Sequence, residues 1–308
     1  MLVPRPEPYH HRMVPVSKVS SKPTKDRRPR AIVLGSGDRP NVMENADHLR
    51  KVITQYAEIV VWDLEFEQDL TDIEADLVIV LGGDGSILRA VGQMGYQQRP
   101  LIGVNLGKLG FLADLSPDEL HTVLPSIRHG EHKVVDHLMF ECRLHRAGKV
   151  VAEQLGLNEA VIRAGLPFSI LDVNLYVDSK LVTTYSCDGL IVSTPVGSTA
   201  HSLSAGGPIL RKSLQAFVIS PISPHTLTNR PVVDSADCEY RLEIADSDGN
   251  AAVVVDGRVL DNMLPGDQVS VVRASTSFKL IEVPGHDYYR TLREKLGWGG
   301  RLISQDAT

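Results

Sequence analysis

The chain has 308 residues, 43% of them hydrophobic, 23% charged and 5% aromatic, with a formal net charge of −6. At about 150 residues per domain this is enough chain for two domains around a large core, and the balance is that of a folded protein, neither disordered nor fibrous. The longest apolar runs, such as Leu77–Leu81 and Ala251–Val255, fall far short of the ~20 residues that cross a bilayer, and Met1–Val16 lacks the apolar stretch of a secretory signal, so a cytoplasmic protein is expected.

Residues 1–29 read as a disordered, Pro-rich leader. Residues 1–30 hold 8 Lys or Arg against 2 acids, a net +6 that leaves −12 on the rest. A body that acidic argues against a nucleic-acid surface. The folded part opens with Ala31–Leu34 as a short buried strand. Asn41–Tyr56 has the pattern of a helix, Glu58–Trp62 and Asp76–Leu81 of strands, Ser86–Met94 of a helix and Leu101–Asn105 of a fourth strand. This alternation implies a parallel sheet covered on both faces, so residues 30–130 are expected to form an α/β domain.

From Lys133 strand follows strand: Val134–His145, Val150–Arg163, Ile170–Val177, Leu181–Val192, Tyr240–Ala245, Ala251–Val255 and Gln268–Arg273. Residues 131–275 are therefore expected to be a mostly antiparallel β domain, interrupted by the Gly/Ser/Thr-rich segment Thr194–Pro208. Tyr288–Leu296 reads as a helix in a tail, 276–308, that packs back on the first domain. Cys142, Cys187 and Cys238 are odd in number and far apart, which fits neither a disulfide framework nor a Cys-x-x-Cys zinc site.

The strongest local signal is Gly82-Gly83-Asp84-Gly85, set between the apolar run Leu77–Leu81 and the helical pattern from Ser86. Strand, glycine turn and helix start make a phosphate site, because the backbone can approach the ligand closely and the helix presents unpaired N–H groups. Asp84 inside such a cradle would repel phosphate unless a cation or an ionisable hydroxyl lies between them. It could hold a divalent cation or take the proton of a hydroxyl that attacks phosphorus; an ordinary turn or cap aspartate is the plainer alternative.

Other nucleotide signatures fail. Gly35-Ser36-Gly37 is followed by Pro40 where a dinucleotide fingerprint needs its third glycine, and Gly103–Lys108 has the wrong spacing for a P-loop, with Leu109 in place of Ser or Thr. The segment from Tyr185 to Pro208 gathers hydroxyls and glycines that suit ribose and phosphate oxygens, though a flexible loop accounts for it equally well. Asn158-Glu159 could grip a ribose diol or be a plain turn. His129-Gly130-Glu131-His132 is better explained as a solvated loop than as a metal site, and no protein metal ligand set is assigned.

The ordered set of Gly82–Gly85, Gly103–Leu112, Asn158-Glu159, Asp188-Gly189 through Gly207-Pro208, Pro224–Leu227 with Arg230-Pro231, Asp256-Gly257 and Leu292–Trp298 resembles the NAD kinase family over about residues 30–300. The tetrad alone is shared with phosphofructokinases and lipid kinases; the ordered set is specific. The resemblance implies transfer of the γ-phosphoryl group of ATP, or in some members polyphosphate, to the 2′-hydroxyl of NAD's adenosine ribose. It implies a phosphofructokinase- or diacylglycerol-kinase-like α/β nucleotide-binding domain, a β-rich NAD-binding domain, a divalent cation (Mg2+ or Mn2+), and a homodimer or homotetramer. Asp84 would be the catalytic base. Gly85 would allow close approach, Phe111 would line the adenine pocket, and Asn158 with Glu159 would hold the adenosine ribose. Asp188, Thr199, Ala200, His201 and Ser204 would contact the dinucleotide; Gly82, Gly83, Lys108 and Arg89 would meet phosphates. His201 stands where most relatives carry Tyr, and Ser186 and Arg258 also depart from residues common in the family. A different kinase with a sugar-phosphate or lipid acceptor, or a non-catalytic dinucleotide sensor, are the alternatives.

Overall fold

A computed structural model describes residues 27–108, 110–113, 115–165, 170–226, 228–245, 251–286 and 288–297. Most of the basic leader and residues 298–308 of the tail lie outside these. Unbroken apolar runs build the first sheet: β1 (Arg30–Gly35), β2 (Glu58–Asp63), β3 (Leu77–Leu81) and β4 (Leu101–Val104) pair in parallel in the order β2-β1-β3-β4. Every residue of β3 and β4 is buried, as parallel strands covered on both faces require. Helix α1 (Pro40–Tyr56) starts with Pro at its first turn and buries Val42, Ala46, Leu49 and Ile53 along one stripe. Helix α2 (Asp84–Met94) begins two residues before the apolar periodicity does, because Gly83 takes the cap position and Asp84 enters the first turn. Helix α3 (Pro117–Arg128) is not among the expected elements, although Ser116 and Glu119 form a reciprocal capping box around Pro117.

The remaining strands are β5 (Lys133–Arg146), β6 (Lys149–Gly156), β7 (Glu159–Ala164), β8 (Leu171–Val177), β9 (Lys180–Cys187), β10 (Gly189–Ser193), β11 (Ala216–Ile222), β12 (Val232–Ser235), β13 (Tyr240–Ile244), β14 (Ala251–Val255), β15 (Arg258–Met263) and β16 (Gln268–Glu282). A short helix, α4 (His201–Ser204), follows β10, and α5 (Tyr288–Leu296) closes the described chain. The order β12-β11-β10-β7-β14-β15 is a six-stranded antiparallel sheet. β16 joins the first sheet to the rest: β5 runs antiparallel along it, while β13 pairs with its start and β4, through Leu101, with Leu280 near its end. The result is a mixed α/β sheet with parallel strands plus a second, antiparallel sheet.

Two expected strands are each two. Val150–Arg163 breaks at Leu157-Asn158 into β6 and β7, and Leu181–Val192 breaks at Asp188 into β9 and β10; in both cases the chain leaves one sheet for the other. Strand-forming residues crowd both sides of each break, which is why the sequence pattern reads each as a single strand. The expected strand at Gln268–Arg273 continues through a bulge to Glu282.

Candidate active site

Four segments carrying expected site residues sink a side chain into one apolar cluster: Ile87 after Asp84, Leu112 after Phe111, Leu157 before Asn158 and Val196 before Gly197. Ile32, Val78 and Val80 from the parallel sheet and Met139 and Phe278 from the long strands belong to the same cluster. The core thus draws distant parts of the sequence together beneath the site.

Gly82 has φ +144°, a conformation that a side chain disfavours, and an added Cβ would meet the Ser86 hydroxyl at 2.4 Å. At Gly83 and Gly85 nothing lies within 4 Å of where a Cβ would stand, so the backbone presents open space on that side. The half-buried Asp84 carboxylate is not a simple cap. Its Oδ2 accepts the Phe111 N–H at 2.7 Å, and its Oδ1 accepts the N–H groups of Leu112 at 2.9 Å and Ala113 at 3.0 Å. Gly110 permits this closure, since a Cβ there would sit 2.1 Å from Asp84 Oδ1.

Asp256 plays the same part across the site. It occupies the two-residue Asp256-Gly257 turn between β14 and β15, where both residues have positive φ, at +48° and +79°. Its carboxylate accepts the N–H groups of Leu157 at 2.7 Å, Asn158 at 2.8 Å and Glu159 at 3.1 Å. From the opposite side, the Thr194 N–H donates to the Asn158 carbonyl at 2.9 Å and the Thr194 hydroxyl to the Leu157 carbonyl at 2.6 Å. The Asn158-Glu159 turn is therefore clamped on both its donors and its acceptors. Asp256 has no role among the candidate residues drawn from sequence; the signal available was the Asp256-Gly257 turn pair directly after the strand pattern Ala251–Val255.

Glu159 is 7% exposed, and its Oε2 has no hydrogen-bond partner. Burial first, and then the Asp256 charge, pushes its pKa from 4.5 up to about 8, against the His201 backbone N–H, which acts the other way. Burial raises Asp256 too, opposed by its three N–H donors and by Arg258. Of the two, the carboxylate with three donors keeps the charge and Glu159 keeps the proton. Because Glu159 titrates higher folded than unfolded, the associated stability is present below about pH 4.5 and is lost as pH rises through about 8. Glu159→Gln removes that dependence. It is expected to gain on the wild type by on the order of 2–4 kcal/mol between pH 5 and 8.5, read from urea unfolding; a gap that stays constant across that range contradicts the assignment.

The other expected residues fall as follows. The Arg89 guanidinium stacks 4.3 Å from the Phe66 ring centroid and donates to the Glu65 carbonyl and the Ser36 hydroxyl, which fixes it beside the loops after β1 and β2. Lys108 is exposed, its carbonyl accepting the Asn105 side-chain amide at 2.7 Å. Asp188 is exposed at the β9–β10 crossing, 3.2 Å from the His225 ring. Thr199 is buried and its hydroxyl donates to the Val196 carbonyl at 3.1 Å, Ala200 and His201 are half-buried, and Ser204 is exposed at the end of α4. Burial, then Arg163, lowers the His201 pKa. The geometry joins Asp84 to Phe111 and Asn158 to Glu159 and the 193–200 segment; Lys108, Asp188 and Ser204 are exposed.

A glycine cradle with one carboxylate at the head of a helix, joined to a β-rich half, suits a nucleotide-dependent phosphotransferase. Profiles of the ATP-NAD kinase N-terminal and C-terminal domains match residues 32–132 and 157–283. The NAD kinase of Rhodopirellula baltica is 54% identical over 276 residues, spanning 90% of this chain and 89% of that one, and that of Colwellia psychrerythraea is 42% identical over 236 residues, 76% and 80% of the two chains. The chain belongs to the ATP-NAD kinase family. In fold it is similar to yeast NADH kinase complexed with NADH, at a TM-score of 0.81 and 22% identity over 90% of each chain. It is also similar to an Archaeoglobus fulgidus NAD kinase in complex with ATP, at 0.71 and 25% over 88% of this chain and 100% of that one.

Proposed function

We infer that the chain phosphorylates the 2′-hydroxyl of NAD's adenosine ribose with ATP, giving NADP. The observation that carries this reading is the Asp84 carboxylate beside the open faces of Gly83 and Gly85. A carboxylate has about four acceptor positions, and backbone N–H groups take three of them. The fourth accepts the proton as the hydroxyl oxygen bonds to the γ-phosphorus and the bond to the departing ADP breaks. Such general-base help is worth about 10²–10⁴-fold, and positioning adds to it.

In this reading Phe111 faces the adenine and Asn158 and Glu159 hold the adenosine ribose; an uncharged Glu159 can donate to a ribose oxygen as well as accept. Asp188, Thr199, Ala200, His201 and Ser204 contact the dinucleotide, while Gly82, Gly83, Gly85, Arg89 and Lys108 meet phosphates. No group of three His, Cys, Asp or Glu side chains suited to a metal occurs among the described residues. The residues fit Mg2+ or Mn2+ carried on the ATP phosphates and their waters, where it would neutralise phosphate charge and leave the open position of Asp84 to the hydroxyl.

The reading assigns nucleotide binding to residues 30–130, NAD binding to 131–275 and a return onto the first domain to 276–308. The contact of α5 with Phe111, through Lys295 at 5.0 Å, supports the last of these. It also includes a cytoplasmic location, consistent with three unbridged cysteines, and a homodimer or homotetramer, consistent with the exposed Leu181 and Val182 on β9 and Val232 and Val233 on β12. No described helix is long and apolar enough to cross a membrane. The test is to supply Mg-ATP with NAD, fructose 6-phosphate or diacylglycerol separately and identify products. NADP from NAD alone is expected; turnover of another acceptor, or NAD binding without turnover, overturns the reading.

A further inference from the structure

Phe111 is held from three directions. Its N–H donates to Asp84 Oδ2 at 2.7 Å, Lys212 Nζ donates to its carbonyl at 2.6 Å, and the Lys295 ammonium lies 5.0 Å from its ring centroid. The Phe111 carbonyl and the Leu112 N–H belong to one peptide unit, and that N–H donates to Asp84 Oδ1 at 2.9 Å. An ammonium, one planar amide and a carboxylate thus form a continuous hydrogen-bonded chain. The ammonium polarises the amide it caps, which strengthens the N–H at the far end as a donor to the carboxylate.

The placement of Lys212 is itself fixed. Its carbonyl accepts from His137 Nδ1 at 3.3 Å, and burial pushes the pKa of that histidine down to about 4, so the ring is neutral with its proton on the nitrogen facing the carbonyl. Its ammonium lies 5.4 Å from the Tyr288 ring centroid, and the Tyr288 hydroxyl donates to the Leu210 carbonyl at 2.9 Å. Lys212 lies outside every motif that marks the family.

We propose that Lys212 is a positioning residue for Asp84, acting through the Phe111–Leu112 peptide to keep the Gly110–Ala113 loop closed on the carboxylate and its remaining acceptor position in place. The proposal rests on the kinase reading for the task that Asp84 performs. Lys212→Met keeps most of the stem and removes the donor; Lys212→Arg restores a donor. In the full chain, the Met variant is expected to lose about tenfold in kcat with KM for NAD within about twofold, and the Arg variant to recover to within about threefold of wild type. In the unliganded protein, hydrogen exchange at the Phe111–Ala113 amides is expected to quicken about tenfold in the Met variant and to be slowed again by Arg.

Unchanged kcat and unchanged exchange at these amides in the Met variant overturn the proposal. So does faster exchange throughout the molecule that Arg fails to reverse, which is the mark of a purely structural lysine. If the wild type forms no NADP, the kinase reading fails, while the exchange comparison still decides whether Lys212 tethers the loop.

Discussion

Asp84→Asn is expected to lower kcat for NADP formation by about 10²- to 10⁴-fold, measured with saturating ATP and NAD. Two losses combine. The amide has no basicity to accept the hydroxyl proton, and it cannot satisfy the loop that the carboxylate holds. If the amide oxygen takes the place of Oδ1 and accepts from Leu112 and Ala113, the amide nitrogen faces the Phe111 N–H; turned over, it faces the other two. Either orientation sets donor against donor, at a cost of about 1–3 kcal/mol to the loop. The loss should therefore fall on kcat, with KM for NAD changing by no more than a few-fold. A variant within about tenfold of wild-type kcat contradicts both the base and the loop roles of this residue.

Gly197→Ala is expected to produce the largest loss of stability, about 3–5 kcal/mol or more by urea unfolding, or a failure to accumulate folded protein. A Cβ at 197 would stand 2.1 Å from the Asn158 carbonyl oxygen, 2.5 Å from its carbon and 2.6 Å from Ser193 Oγ. The first two are backbone atoms, and Asp256 and Thr194 hold them in place. Gly85→Ala is the contrasting case. Its Cβ meets nothing within 4 Å, and the residue lies inside α2, so the fold should be unaffected or gain up to about 1 kcal/mol of helix preference while KM rises. If both variants unfold alike, the distinction between glycines that pack and glycines that face a ligand is wrong.

The fold class and the glycine cradle were legible because each is written locally. Five consecutive buried residues precede Gly82, and an apolar period of helical spacing follows Asp84. The pairings that finish the site are not local: Asp84 meets residues 27 to 29 positions on, and Asp256 meets residues 97 to 99 positions back. No periodicity reports such contacts. Nor does alternation reveal where a strand changes sheets, so Asn158 and Asp188 sat inside expected strands although each marks a crossing. Helix α3 is a different omission, since the Ser116–Glu119 box was present in the sequence to be read. Lys212 carried no local sign, and the hydroxyl-rich segment that contains Thr194 did not disclose its partner, because both residues act on main-chain groups more than thirty residues away.

β16 gives the molecule a mechanical unity that its two kinds of sheet conceal. From Gln268 to Glu282 it pairs with β5 along most of its length, and it takes β13 as neighbour near one end and β4 near the other. Melting either half strips hydrogen bonds from a strand that the other half also uses, so the halves form one cooperative unit. In the proposed reading, capture of substrates then falls to the loops around Phe111 and His201, because a swing of one half against the other is resisted by a shared girder.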